Sequence, residues 1–140
     1  MRYTLLISIL ILFFMSCSKD KFSSTPSLKF ESVNTTGLHN QESIRFTLSF
    51  TDAEGDISDS IYVQKIASNC SASNDFTLFP VPTFPSAKNQ KGTIDVTLNY
   101  TDIEPKCQAN DTTIFRFALK DLANHVSDTV SSPTIILYYP

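Results

Sequence analysis

The sequence has little of what many enzymatic and nucleic-acid sites require. It contains no tryptophan, three glycines and two histidines, and its 14 acidic residues outnumber its 11 basic ones. So few glycines leave no glycine-rich loop that could cradle a phosphate. The net negative charge offers no phosphate-binding surface, so no nucleic acid is expected as a partner.

The histidines and serines form no recognisable catalytic pattern. His39 and His125 lie far apart, and neither has a second histidine or a cysteine at zinc-ligand spacing. The serines include no Gly-x-Ser-x-Gly motif, which marks the nucleophile of many hydrolases. A small domain without tryptophan also makes a poor cleft for sugar hydrolysis. We therefore expect a protein that is not an enzyme, and a small hydrolase remains an alternative.

The longest apolar run lies close to the N-terminus. Residues 5–15 are almost entirely apolar, and Arg2 precedes them. This length matches the apolar core of a signal peptide and falls short of the roughly 20 residues that span a bilayer. The run ends at Ser16 and Cys17, which resembles the lipobox of bacterial lipoproteins, where a small residue precedes the cysteine that becomes lipidated. We predict a lipoprotein signal peptide at 1–16, with an ordinary signal peptide or an N-terminal membrane anchor as the alternative.

The segment after the lipobox is polar and rich in serine. Residues 17–26 are therefore predicted to be the lipidated N-terminus and a flexible tether, and residues 27–140 a single domain. Two or more acyl chains on Cys17 would hold the protein firmly on a membrane, at about 0.8 kcal/mol for each buried CH₂. We expect an exported protein, anchored by lipid to a bacterial membrane (the outer one is favoured), on the periplasmic or cell-surface side.

Lipidation of Cys17 would leave Cys70 and Cys107 as an even pair in an oxidising compartment, where disulfides form. Both cysteines lie in polar segments rich in turn-forming residues, SNCSASND and EPKCQAND. A disulfide between two loops is therefore expected, because a bridge through the core would need cysteines within strands. Two free thiols are the alternative.

Apolar and polar residues alternate with a period of two, which predicts strands rather than helices. The alternation is clearest at residues 44–50, 94–100 and 115–119. Less regular strands are expected at residues 28–33, 57–66, 76–79 and 134–139. About seven short strands separated by turns predict an all-β fold, an antiparallel two-sheet sandwich of the immunoglobulin-like kind.

Carboxylates are concentrated in one turn. Asp52, Glu54 and Asp56 lie within five residues, and Asp121 and Asn124 could join them if the two loops share one end of the sandwich. Ca²⁺ takes 6–8 oxygen ligands, so these five residues are the candidate calcium ligands. In the alternative interpretation the carboxylates bind backbone N–H groups of the turn or are solvated.

Two segments together resemble the small immunoglobulin-like lipoproteins of the Bacteroidetes phylum. They are residues 50–57, FTDAEGDI, and residues 119–130, LKDLANHVSDTV. The resemblance covers roughly residues 46–137, and it implies a fold and a compartment but no reaction, because fold does not give function. In such relatives the second motif often reads Asp-Arg-Ala-Gly-Asn, whereas here Leu122 and Ala123 precede Asn124 and the glycine is absent.

The sequence therefore predicts a membrane-anchored module of the cell envelope, which binds or supports a glycan or an envelope protein without catalysis. The main alternative is a glycan-binding accessory protein of a surface uptake or adhesion system. That alternative would need exposed aromatic side chains near Phe79 to Phe84, and Phe76 belongs to the same apolar, proline-rich stretch. Burial of these rings in the core is the simpler expectation.

Overall fold

A computed structural model describes residues 22–57, 60–70 and 76–140 of the chain. The predictions for the signal peptide and for Cys17 lie outside the described residues. The strands and the one short helix of the described part are β1 (Ser27–Val33), β2 (Gly37–Leu38), β3 (Ser43–Asp52), β4 (Ser60–Ala67), β5 (Phe76–Pro80), β6 (Gln90–Asn99), α1 (Tyr100–Ile103), β7 (Asp111–Lys120), β8 (Val130–Ser131) and β9 (Ile135–Leu137).

The strands form two sheets, which confirms the predicted all-β sandwich. Sheet A has the order β1-β3-β6, and sheet B has the order β2-β9-β7-β4-β5, with β8 also paired to β7. The chain crosses to sheet B for β2, returns to sheet A for β3, crosses again for β4 and β5, returns for β6 and ends in sheet B. Such crossing between two sheets is typical of immunoglobulin-like sandwiches. Two details differ from the prediction. The pair β2–β9 is parallel, and the two-residue strands β2 and β8 are too short to show any alternation.

The core lies between the sheets because each long strand turns every second side chain inward. In β3 the buried positions alternate from Ile44 to Phe50. The ring centroid of Phe46 lies 5.0 Å from that of Phe115 and 5.1 Å from that of Phe117, which joins β3 of sheet A to β7 of sheet B. Burial of each such large side chain stabilises the fold by about 1.5–3 kcal/mol.

The sandwich has two distinct ends. At one end, β4 begins at Ser60 beside the last residue of β7, Lys120. We call this the tether end, because the N–H of Ala53 there donates a hydrogen bond of 3.0 Å to the carbonyl of Ser23, in the segment that precedes β1. At the other end, which we call the disulfide end, β4 leads to Cys70.

The last residues of the predicted tether contact the domain. Besides the bond to Ser23, Pro26 is buried. The described chain is therefore held against the tether end before β1 begins. In the part of the chain that the structure describes, no helix has the length and apolar character that a membrane crossing requires.

Candidate metal centre

Three of the predicted carboxylates meet at the tether end. Asp52 is the last residue of β3, Asp56 lies in the connection to β4, and Asp121 directly follows β7. One ligand oxygen from each lies within 4.8 Å of the other two. Asp52 and Asp121 are fully buried. These three residues, the acidic triad, connect sheet A to sheet B because β3 and β7 lie in opposite sheets and end at the same side.

The first loop of the triad folds around the Asp52 side chain. Its Oδ2 accepts hydrogen bonds from the N–H groups of Gly55, at 2.6 Å, and Asp56, at 3.4 Å. Gly55 has a φ of +72°, and a Cβ at this residue would overlap the backbone of Ala87. Only glycine therefore fits at this position of the turn.

The second loop is organised by Asp121 in the same way. Its Oδ1 accepts a hydrogen bond of 2.7 Å from the N–H of His125, and a second bond of 3.0 Å joins its Oδ2 to Nδ1 of His125. This bond to the carboxylate raises the pKa of His125 above its ordinary value. Asn124 has a φ of +71°, which asparagine tolerates better than most residues. It thereby allows the turn to form without the glycine that the resemblance led us to expect.

The two loops touch, and two of the triad's oxygens have no partner. The N–H of Leu122 donates a hydrogen bond of 3.2 Å to the carbonyl of Asp56. Among the described residues, the buried Oδ1 atoms of Asp52 and Asp56 accept no hydrogen bond. Burial, together with the negative charges of Asp121 and Asp52, raises the pKa of Asp56. Carboxylates this close repel one another when all are charged, and a proton or a cation between them relieves that repulsion.

The other two residues predicted as calcium ligands take different positions. Glu54 is exposed and is not a member of the triad. Asn124 is exposed as well, and the role visible for it is its backbone conformation. Three carboxylates with oxygen donors only are suited to a hard cation such as Ca²⁺.

The two cysteines that were predicted to form a disulfide lie together at the disulfide end. A disulfide joins Cys70 to Cys107, with their Cα atoms 5.4 Å apart. Cys70 lies in the segment after β4 and Cys107 in the segment before β7. The bond therefore connects two loops that flank neighbouring strands of sheet B.

A buried ion pair near the disulfide end was missed by the sequence reasoning. Nζ of Lys65 lies 3.2 Å from Oδ2 of the fully buried Asp111, and it donates a hydrogen bond of 2.9 Å to the carbonyl of Ile103. Burial lowers the pKa of Lys65, although Asp111 acts in the opposite direction. The alternation of β4 could have shown that Lys65 faces inward, because Lys65 occupies the next inward-facing position after Ile61 and Val63.

The ion pair borders a cleft of about 300 Å³ between the two sheets. Its lining is mixed: apolar side chains from both sheets form the floor, and charged groups surround them. The lining residues are Val63, Lys65, Thr77, Phe79, Leu98, Asp102, Ile103, Glu104, Lys106 and Phe115.

The aromatic residues of the proline-rich stretch divide into two groups. Phe79 and Phe84 are partly buried against the core, and the Phe84 ring lies 5.2 Å from Phe50, edge to face. Phe76, by contrast, is 41% exposed and contacts Tyr62 on the outer face of sheet B at a centroid distance of 6.2 Å. Packing against the core thus explains the presence of Phe79 and Phe84 in this stretch, but not that of Phe76.

No protein-family model and no curated protein matches the chain. Among solved structures, the chain is similar to the sporulation control protein Spo0M from Bacillus subtilis, with a TM-score of 0.54 and 9% identity over 84% of this chain and 51% of Spo0M. A Niemann-Pick type C2 protein from the Japanese carpenter ant gives a TM-score of 0.43 at 10% identity, over 85% of this chain and 98% of that one. A β-glucosidase from Kluyveromyces marxianus in complex with glucose gives 0.42 at 12%, over 84% of this chain and 15% of the enzyme.

The chain spans about half the length of Spo0M. At 9% identity, this similarity shows a shared fold and nothing about activity. The class that the structure defines is thus an all-β, immunoglobulin-like sandwich domain.

Proposed function

We propose that the protein is a lipid-anchored module of the bacterial cell envelope that binds or supports another envelope component without catalysing a reaction. The anchor is the lipid on Cys17, and the route of export is the signal peptide at residues 1–16. The observation that carries the proposal is the apolar run that ends at Ser16 and Cys17. The hydrogen bond between Ser23 and Ala53 adds the end of the sandwich at which the chain enters the domain.

This bond gives the anchored domain a defined polarity. The segment from Cys17 to Ser23 can extend to at most about 20 Å. The tether end therefore faces the membrane at short range, and the disulfide end points away from it. The cleft beside Lys65 and Phe115 lies toward the distant end, where a partner from the surrounding compartment can reach it.

Two of the buried serines have hydrogen bonds that indicate a structural rather than a catalytic role. The hydroxyl oxygen of Ser127 accepts a hydrogen bond of 2.9 Å from the N–H of Leu119, and that of Ser132 accepts one of 3.0 Å from the N–H of Phe115. Both hydroxyl groups donate to neighbouring carbonyls as well. These serines satisfy the backbone beside β7, so a hydrolase would have to recruit its nucleophile elsewhere.

Anchoring is tested with two substitutions at adjacent residues in a bacterial host that processes lipoproteins. Cys17→Ala should move the protein from the membrane fraction to the soluble fraction and abolish incorporation of a fatty-acid label. Ser16→Ala keeps a small residue before the cysteine, so it should leave both properties unchanged. A Cys17→Ala protein that still sediments with the membranes would show that lipid on this cysteine is not the anchor.

Glycan binding remains the second candidate, because Phe76 and the neighbouring Tyr62 form an accessible aromatic pair on sheet B. Under this alternative, an envelope oligosaccharide should raise the melting temperature of the wild type, and Phe76→Ala should abolish that rise. Phe84→Ala is an unsuitable control because that ring packs on the core. Lys91→Ala, on the exposed side of sheet A, should leave the response unchanged.

A further inference from the structure

We propose that the acidic triad binds one Ca²⁺ ion, which bridges the two sheets at the tether end. The triad consists of Asp52, Asp56 and Asp121. This inference concerns the domain itself and does not require the lipid anchor, so each proposal can fail without the other.

The first argument is that two carboxylate oxygens of the triad accept no hydrogen bond from the described residues. Asp52 is fully buried, and its Oδ1 has no hydrogen-bond partner within residues 22–57, 60–70 and 76–140. The same holds for Oδ1 of Asp56. A buried polar atom that is left without a partner costs about 1–3 kcal/mol, and more when the group is charged. A single proton can be shared by only one pair of these oxygens, whereas a cation between the three carboxylates can be coordinated by all three.

The second argument is that the surroundings hold the carboxylates in place. Oδ2 of Asp52 is fixed by the N–H of Gly55, which leaves Oδ1 for another partner. Both oxygens of Asp121 are bonded to His125, and each retains a free lone pair because a carboxylate oxygen accepts more than one bond. Hydrogen bonds that orient a ligating carboxylate in this way are the usual support of metal ligands.

The third argument concerns the identity of the ion. Ca²⁺–oxygen distances are about 2.3–2.6 Å, so oxygens on opposite sides of Ca²⁺ are about 4.6–5.2 Å apart. The triad's oxygens all lie within 4.8 Å of one another, so one Ca²⁺ ion could contact all three carboxylates. Mg²⁺ gives up its water reluctantly and is usually bound by one or two carboxylates, so a site with three carboxylates favours Ca²⁺. Three carboxylates leave several coordination positions to water, and we expect a Kd of about 10⁻⁴–10⁻³ M, as in other extracellular calcium modules.

The test uses the full-length chain purified in detergent. Calorimetric titration with CaCl₂ should show one binding site, and titration with MgCl₂ should show much weaker binding. At ten times the Kd, Ca²⁺ should raise the melting temperature by roughly 5 °C relative to the protein in chelator.

Two substitutions in one loop make the test specific. Asp56→Asn removes a triad carboxylate, and it should abolish the calcium response. In chelator it should melt at or above the wild-type temperature, because it relieves repulsion from Asp52 and Asp121. Glu54→Gln removes a charge from an exposed side chain outside the triad, and it should keep the response. Asp52→Asn is avoided because Asp52 also shapes the turn.

Either of two results would overturn the proposal. One is the absence of both binding heat and a melting shift with CaCl₂ in the wild type. The other is a calcium response that Glu54→Gln loses as completely as Asp56→Asn.

Discussion

Removal of the disulfide is expected to destabilise the domain strongly. The bond joins Cys70 and Cys107 across a sequence separation of 37 residues. In the chain-entropy model, a cross-link that closes a loop of this length lowers the entropy of the unfolded chain enough to stabilise the fold by about 4 kcal/mol. For a domain of this size, that corresponds to a fall in melting temperature on the order of 15 °C.

The appropriate variant is Cys70→Ala with Cys107→Ala. Alanine is preferred to serine because Cys70 is only 2% exposed, and a buried hydroxyl would add a cost of its own. The free energy of unfolding should be measured in urea for the variant, for the wild type and for the reduced wild type. The reduced wild type isolates the loss of the cross-link, because the variant also lacks the buried sulfur atom of Cys70.

A much smaller loss would refute the reasoning. Two contacts already hold the loop that contains Cys70 on β7 without the disulfide. The N–H of Ser68 donates a hydrogen bond of 2.8 Å to the carbonyl of Thr112, and that of Asn69 lies 3.3 Å from Oδ1 of Asp111. If the variant lost less than about 1 kcal/mol, such contacts would already restrict the unfolded chain, which the entropy model excludes.

Three further substitutions test packing and polar contacts through urea unfolding. Gly55→Ala should cost at least about 1–3 kcal/mol, because the residue needs a positive φ and has a backbone segment against it; an unchanged stability would show that the turn rearranges easily. Tyr100→Phe removes the hydroxyl that donates a 2.7 Å hydrogen bond to the carbonyl of Tyr138, and it should cost about 1 kcal/mol. Lys65→Met leaves Asp111 buried without its cation, and it should cost about 3–5 kcal/mol; a neutral effect would mean that Asp111 is solvated.

The fold could be predicted because the alternation that identifies each long strand lies within a short stretch of sequence. Strands β3 and β6 alternate strictly, and β7 does so apart from the buried Ala118, so their inward faces can be identified from the sequence alone. Strand β4 was predicted to begin at residue 57 and begins at Ser60. Tyr100 continues the alternation of β6 but lies in helix α1. Boundaries fail in this way because they depend on turn geometry rather than on periodicity.

The candidate site was predictable only in part, because it depends on how distant segments meet. Five calcium ligands were proposed, and the structure brings together Asp52, Asp56 and Asp121. Spacing alone could not show that Glu54 is exposed while Asp52 is buried and Asp56 is half-buried. His125 was interpreted as an ordinary surface residue, and its bond to Asp121 depends on a turn in which Asn124 takes a positive φ. The sequence carries this information only through the tolerance of asparagine for that conformation.

The disulfide and the proposed calcium ion would stabilise different parts of the sandwich. Cys70 and Cys107 flank β4 and β7, which are both in sheet B, so their bond cannot hold the two sheets together. The triad joins Asp52 of sheet A to Asp121, and it lies beside Ala53, where a load from the membrane anchor would enter. The two elements share no partner residue and lie at opposite ends, so their contributions should add. The alanine variant that lacks the disulfide should therefore show the full calcium-dependent rise in melting temperature. A rise that is halved or lost would mean that one cooperative network connects the two ends.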